Sequence, residues 1–181
     1  MAMARPAAGS RRPATPGAPH WLQIQRLRGG GRLPGGGALR KWAAAALTGA
    51  GREPGPALTV RFVGRAESAR LNGRFRGKAG ATNVLAFPAA GGTGELGDIV
   101  ICLPLVAGEA RERERPARTH LAHLVVHGTL HLLGYDHHRH AAARQMERLE
   151  TRIMKELGFP DPYQLPPTTA QGRRAGVTRR P

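Results

Sequence analysis

Cysteine occurs once in the 181 residues, aromatic side chains make up 4% of them, and acids number 12 against 28 Lys and Arg. Each shortage excludes something. One cysteine rules out an intramolecular disulfide framework, and Cys102, set in the run Ile99-Val100-Ile101-Cys102-Leu103, reads as a small buried hydrophobe. No run approaches the ~20 apolar residues of a membrane span. Met1 to His20 carries arginines and prolines but no apolar stretch of ~7–15 residues, so no signal peptide is expected and a cytoplasmic location follows. The shortage of acids is local. Residues 57 to 165 hold 15 Lys and Arg against 11 Asp and Glu, whereas the first 56 hold nine against one and the last 16 hold four with no acid. Basic flanks of this kind suit a polyanion such as RNA, where phosphate contacts give sequence-independent affinity; solubility alone is the plainer alternative.

The length accommodates one hydrophobic core, and the 25 glycines and 15 prolines gather at the ends and in a few loops. Residues 1–20 and 164–181 are therefore expected to be disordered basic extensions around a single domain at 21–163. Within it, strands are expected at Trp21 to Leu27, Leu58 to Val63, Asn83 to Phe87 and Gly97 to Leu103. Helices are expected at Ala38 to Thr48, Ala66 to Phe75, from Pro104, from about Thr119, and from Ala141 to Leu157, where Met146, Leu149, Ile153 and Leu157 share one side. Alternating strands and helices predict an α+β sandwich, a small mixed sheet of about four strands covered by helices.

Seven of the eight histidines lie between positions 120 and 140. His127 and His131 stand four residues apart on an expected helix, so they project from one face and can share a metal ion. Two such histidines alone describe a polar helix face equally well. The third narrows the choice: Gly134 lets the chain reverse, and Tyr135-Asp136 leads into His137 as a third ligand. Three imidazoles leave a tetrahedral position open, as catalytic zinc sites do. His120 and His123 fall in the same stripe and either line the same cleft or are simply half-buried. The spacing matches the metzincin pattern H-E-x-x-H-x-x-G-x-x-H, but the position of the general base is Gly128, which argues against a protease.

Residues 127 to 137, HGTLHLLGYDH, resemble the signature of the YbeY family of endoribonucleases. Further stretches resemble the same family in the same order: LNGRFRGKAGATNVLAFP (71 to 88), GELGDIVIC (94 to 102) and GFPDPY (158 to 163). The resemblance spans roughly residues 58 to 163. It implies an α/β fold, one zinc ion held by His127, His131 and His137, and Arg76 as the basic residue facing the metal. It also implies cleavage of single-stranded ribosomal RNA, in small-subunit 3′-end maturation and ribosome quality control, with the ribosome and its proteins as partners. A guanidinium suits that role because it stays charged and offers a planar fork of donors to a phosphate. Asp136 is read as orienting a ligand histidine, with a role as base the alternative.

Where the family pattern usually has acid, proline and serine, this chain carries Ala79, Ala81 and Ala86, so polar support near Arg76 is reduced. Acids usually follow the third histidine; here His138, Arg139 and His140 make a more cationic rim. A ribosome-assembly factor that uses a metal only for folding is the competing reading, and His123 or His138 could then complete a closed site.

Overall fold

The computed structural model describes residues 21–26, 33–91, 94–136 and 140–164. Among the described residues four strands, β1 (Leu22–Gln25), β2 (Ala57–Val63), β3 (Val84–Pro88) and β4 (Glu95–Cys102), form one sheet in the order β1-β2-β4-β3. The first three in that order run parallel and β3 closes the edge antiparallel to β4. Five helices complete the described residues: α1 (Gly36–Gly49), α2 (Arg65–Arg76), α3 (Leu103–Glu112), α4 (Ala117–Leu132) and α5 (His140–Glu156). The α+β class with a four-stranded mixed sheet is therefore as expected. The expected extensions, 1–20 and nearly all of 164–181, lie outside the described residues, as does His137. Among the described residues, no helix is long and apolar enough to cross a membrane.

Central strands of a parallel sheet are buried on both faces and so read as continuous apolar runs. In β4, Ile99 and Ile101 join the larger core cluster with Leu58, Val60 and Phe62 of β2, while Val100 and Cys102 point to the other face with Leu85 and Phe87 of β3. Helix α2 covers that second face through Leu71, with Phe75 edge-on to Phe87 at 5.0 Å between ring centroids. The larger cluster lies under α1, α4 and α5. Helix α4 is central: it touches α1, α3, α5, β3 and β4. Leu121, Ala122, Leu124, Val125, Val126, Leu130 and Leu132 are buried around it, leaving one strip for its histidines.

Both helices that carry the site end the same way. Gly134 (φ 91) follows α4 and Gly158 (φ 81) follows α5, each in the left-handed region that costs a glycine nothing. The Tyr135 amide then donates to the Leu130 carbonyl and the Phe159 amide to the Met154 carbonyl, each closing the helix end and reversing the chain.

Candidate metal centre

Four histidines of α4, His120, His123, His127 and His131, fall in one stripe, as their spacing requires. Two buried or half-buried carboxylates face that stripe. Glu109 of α3 meets His120: Oε2 lies 2.6 Å from Nε2, and the Asn83 amide donates to the same oxygen at 2.9 Å. The His120 pKa lies below its ordinary value: burial first, and the neighbouring His123 and Arg113 charges, lower it against the hydrogen bond and charge of Glu109, which raise it. Glu150 of α5 meets the next two. Its Oε2 is 2.7 Å from His123 Nε2 and its Oε1 is 2.8 Å from His127 Nδ1, and the Tyr163 hydroxyl also donates to Oε2.

The Glu150 side chain is 0% exposed. Burial alone would push its pKa up, but hydrogen bonds from His123 and His127, with the positive charge these rings carry when protonated, hold it well below the usual carboxylate range. Burial, and after it the same anion, pushes the Tyr163 phenol well above its ordinary value, so the hydroxyl stays a donor.

An ionised carboxylate only accepts hydrogen bonds, so the protons between Glu150 and the two rings belong to His123 Nε2 and His127 Nδ1. Neutral His127 with its proton on Nδ1 presents a lone pair at Nε2. That nitrogen stands 3.1 Å from His131 Nε2, with the rings nearly perpendicular at 78°. Two neutral acceptors repel at that distance unless a proton or cation lies between them. The separation is close to the ~3.3 Å edge that a tetrahedral ion imposes on two imidazole nitrogens bonded at ~2.0 Å. The ring nitrogens therefore fit a shared cation, and an imidazole whose other nitrogen donates to a carboxylate is the usual form of a metal-bound histidine. His123, His127 and Glu150 form a second group, with ligand atoms within 4.8 Å of one another, that could also hold an ion.

Of the residues singled out in the sequence, the structure brings His127 and His131 together and adds His123 through Glu150. Asp136 is half-buried in the turn beyond Gly134. Arg76 is exposed in the last turn of α2, and among the described residues no hydrogen bond or ion pair joins it to the histidines. Glu150 and Tyr163 were not anticipated. Glu150 had a readable signal: with Met146, Leu149, Ile153 and Met154 it lies on the apolar stripe of α5, where a solvated charge has no place.

Gly128 has a structural reason as well. A Cβ there would sit 2.8 Å from Ile99 Cγ2, so the position faces β4 and the core. A glutamate there would be driven into Ile99 and the core, away from the histidine strip.

An α+β protein with a histidine-lined candidate metal centre on its central helix is the class these features define. A family model described as Endoribonuclease YbeY matches residues 37–158. Among relatives named Endoribonuclease YbeY, that of Alkalilimnicola ehrlichii is 51% identical over 139 residues, covering 74% of this chain and 84% of its own. That of Aromatoleum aromaticum is 47% identical over 145 residues, covering 78% and 91%. A solution structure from Thermotoga maritima matches with a TM-score of 0.47 and 24% identity, over 79% of this chain and 99% of that one. The chain belongs to the YbeY endoribonuclease family, and the matched region starts earlier than the signature stretches, within α1.

Proposed function

We propose that this chain is a zinc-dependent endoribonuclease that cuts single-stranded ribosomal RNA, acting in small-subunit 3′-end maturation and ribosome quality control. The observation that carries the reading is the facing pair of Nε2 atoms on His127 and His131, 3.1 Å apart, with His127 anchored from behind by Glu150. Family membership supports the RNA class, since the relatives are named as endoribonucleases.

In this reading His127, His131 and His137 hold one zinc ion, and Glu150 orients rather than ligates. Both of its oxygens already accept hydrogen bonds, and a metal on the His123, His127 and Glu150 side would have to displace them. Bound zinc supplies Lewis acidity, making water or the ribose 2′-hydroxyl acidic near neutral pH and neutralising phosphate charge. Arg76 offers its guanidinium to the scissile phosphate and steadies the charge that builds on it. Asp136, between the turn and residue 137, orients a ligand histidine. A splayed single strand suits a metal site of this kind because side chains cannot enter the narrow major groove of duplex RNA. Ribosomes in the cytoplasm, with their proteins, are the corresponding partners.

The test is cleavage of a single-stranded ribosomal RNA fragment by metal-analysed protein, comparing the parent with His131→Ala and Arg76→Glu. The parent is expected to hold about one zinc per chain and cut, and both variants to bind RNA without cutting. Equal cutting by all three preparations would point to a contaminant and favour the assembly-factor reading.

A further inference from the structure

Tyr163 is 48% exposed, yet its hydroxyl ends on a carboxylate that is 0% exposed. A ring placed only to cover apolar surface has no need of that polar end. The segment that delivers it is tied down at several points. After the Gly158 turn, Phe159 packs edge-on against Trp42 of α1 at 5.9 Å between centroids. Asp161 Oδ1 accepts from the Thr151 hydroxyl of α5 and from the Tyr163 amide, at 3.1 and 3.0 Å. Arg115, between α3 and α4, donates through Nη1 to the Pro162 carbonyl at 2.6 Å. These ties, reaching α1, α5 and the α3–α4 turn, fix one short stretch of backbone and with it one hydroxyl.

We propose that Tyr163 is a positioning residue for the metal centre: its hydroxyl completes the hydrogen-bond set of Glu150 and thereby holds the His127 imidazole aimed at the ion. A carboxylate has about four lone-pair sites. Here Oε1 is taken by His127 and Oε2 by His123 and Tyr163. With both oxygens engaged the carboxylate cannot turn, so the proton on His127 Nδ1 has one direction and Nε2 keeps its lone pair toward His131. Without the hydroxyl, Oε2 rests on His123 alone and the exposed rim admits water that competes for it. The proposal rests on the reading of His127 and His131 as zinc ligands.

Tyr163→Phe is the informative variant because it removes the hydroxyl and keeps the edge-on ring contact with His123, at 5.7 Å and 81°. Zinc affinity of the full chain, measured by chelator competition, is expected to fall roughly three- to tenfold, less than the roughly 10- to 100-fold expected of Glu150→Gln. Cobalt substituted for zinc should show an altered visible absorption in Tyr163→Phe. The double variant should bind no more weakly than Glu150→Gln alone, because the hydroxyl acts through the carboxylate. Arg115→Ala, which releases Pro162 without touching Glu150, should shift affinity in the same direction. Parental affinity and an unchanged cobalt spectrum in Tyr163→Phe would overturn the proposal, as would losses that multiply in the double variant. A parent that takes up no zinc at all would instead overturn the metal reading beneath it.

Discussion

Replacing Gly128 with alanine adds one methyl to the face of α4 that lies on β4. At an exposed helix position that change stabilises by about 1 kcal/mol, because alanine loses less backbone freedom than glycine. Here the new carbon would stand 2.8 Å from Ile99 Cγ2, 3.1 Å from Cδ1 and 3.2 Å from Cγ1. Ile99 is 0% exposed in a central strand, and its branched β-carbon restricts the rotamers it can retreat into. Overpacking of this kind costs about 1–3 kcal/mol, and a first contact this short belongs in the upper half of that range. The net expectation is a loss of about 1–2 kcal/mol, read by urea unfolding. Ile99→Ala alone should cost about 2–5 kcal/mol. The double variant should be more stable than the sum of the two losses by about 2–3 kcal/mol, because truncating Ile99 removes the whole overpacking cost while the helix gain of alanine remains. Zinc affinity should fall with stability in Gly128→Ala, since His127 is its neighbour. A Gly128→Ala protein more stable than the parent would refute the packing argument.

Zinc in excess should raise the melting temperature of the parent, corresponding to about 2.7 kcal/mol at a hundredfold excess over Kd. His131→Ala should show little response to zinc or chelator in the same calorimetric scans. Leu130→Ala, at a fully buried position between the two facing histidines, should lose about 2–5 kcal/mol in urea unfolding and weaken zinc binding with it. For His120, the depressed pKa means that the unfolded chain takes up a proton near its ordinary value of 6.5 before the folded chain does. Stability from this group is full above that pH and falls as pH drops through the window below it. His120→Gln should flatten that part of a stability-against-pH curve, and an unchanged slope would contradict the reading.

Much of the scaffold was legible because it depends on local patterns. The apolar runs at Leu58 to Val63 and Gly97 to Leu103 correspond to β2 and β4, and Met146, Leu149 and Ile153 line the buried side of α5. Boundaries slipped where the usual signals are missing. Helix α1 starts at Gly36 instead of Ala38 because its first turn is glycine, and α4 starts at Ala117 instead of Thr119 because Pro116 occupies the cap without a side-chain hydrogen bond. The pair His127 and His131 was readable from helical spacing. Glu150 is hard to read because a glutamate among arginines reads as solvated until its place on the apolar stripe is counted. Tyr163 could not be found by periodicity: its partner lies 13 residues back, and only the chain reversal at Gly158 makes them neighbours. Arg76 was singled out by resemblance alone, and its exposed place at the end of α2 is set by Gly77 in the left-handed turn that follows.

The direction of α4 has an electrostatic consequence of its own. Sixteen residues of aligned peptide dipoles leave about half an elementary negative charge at the helix C-terminus, and His131 sits in that last turn with His127 one turn before it. The backbone therefore attracts a cation to the facing imidazoles before any carboxylate contributes. Side-chain exposure rises in the same direction, from 7% at His120 to 15% at His123 and 21% at His127. One rod of peptide thus runs from a buried histidine near its start to a half-buried, cation-seeking pair at its C-terminal end. The backbone dipole favours the C-terminal pair over His120 as the seat of a cation.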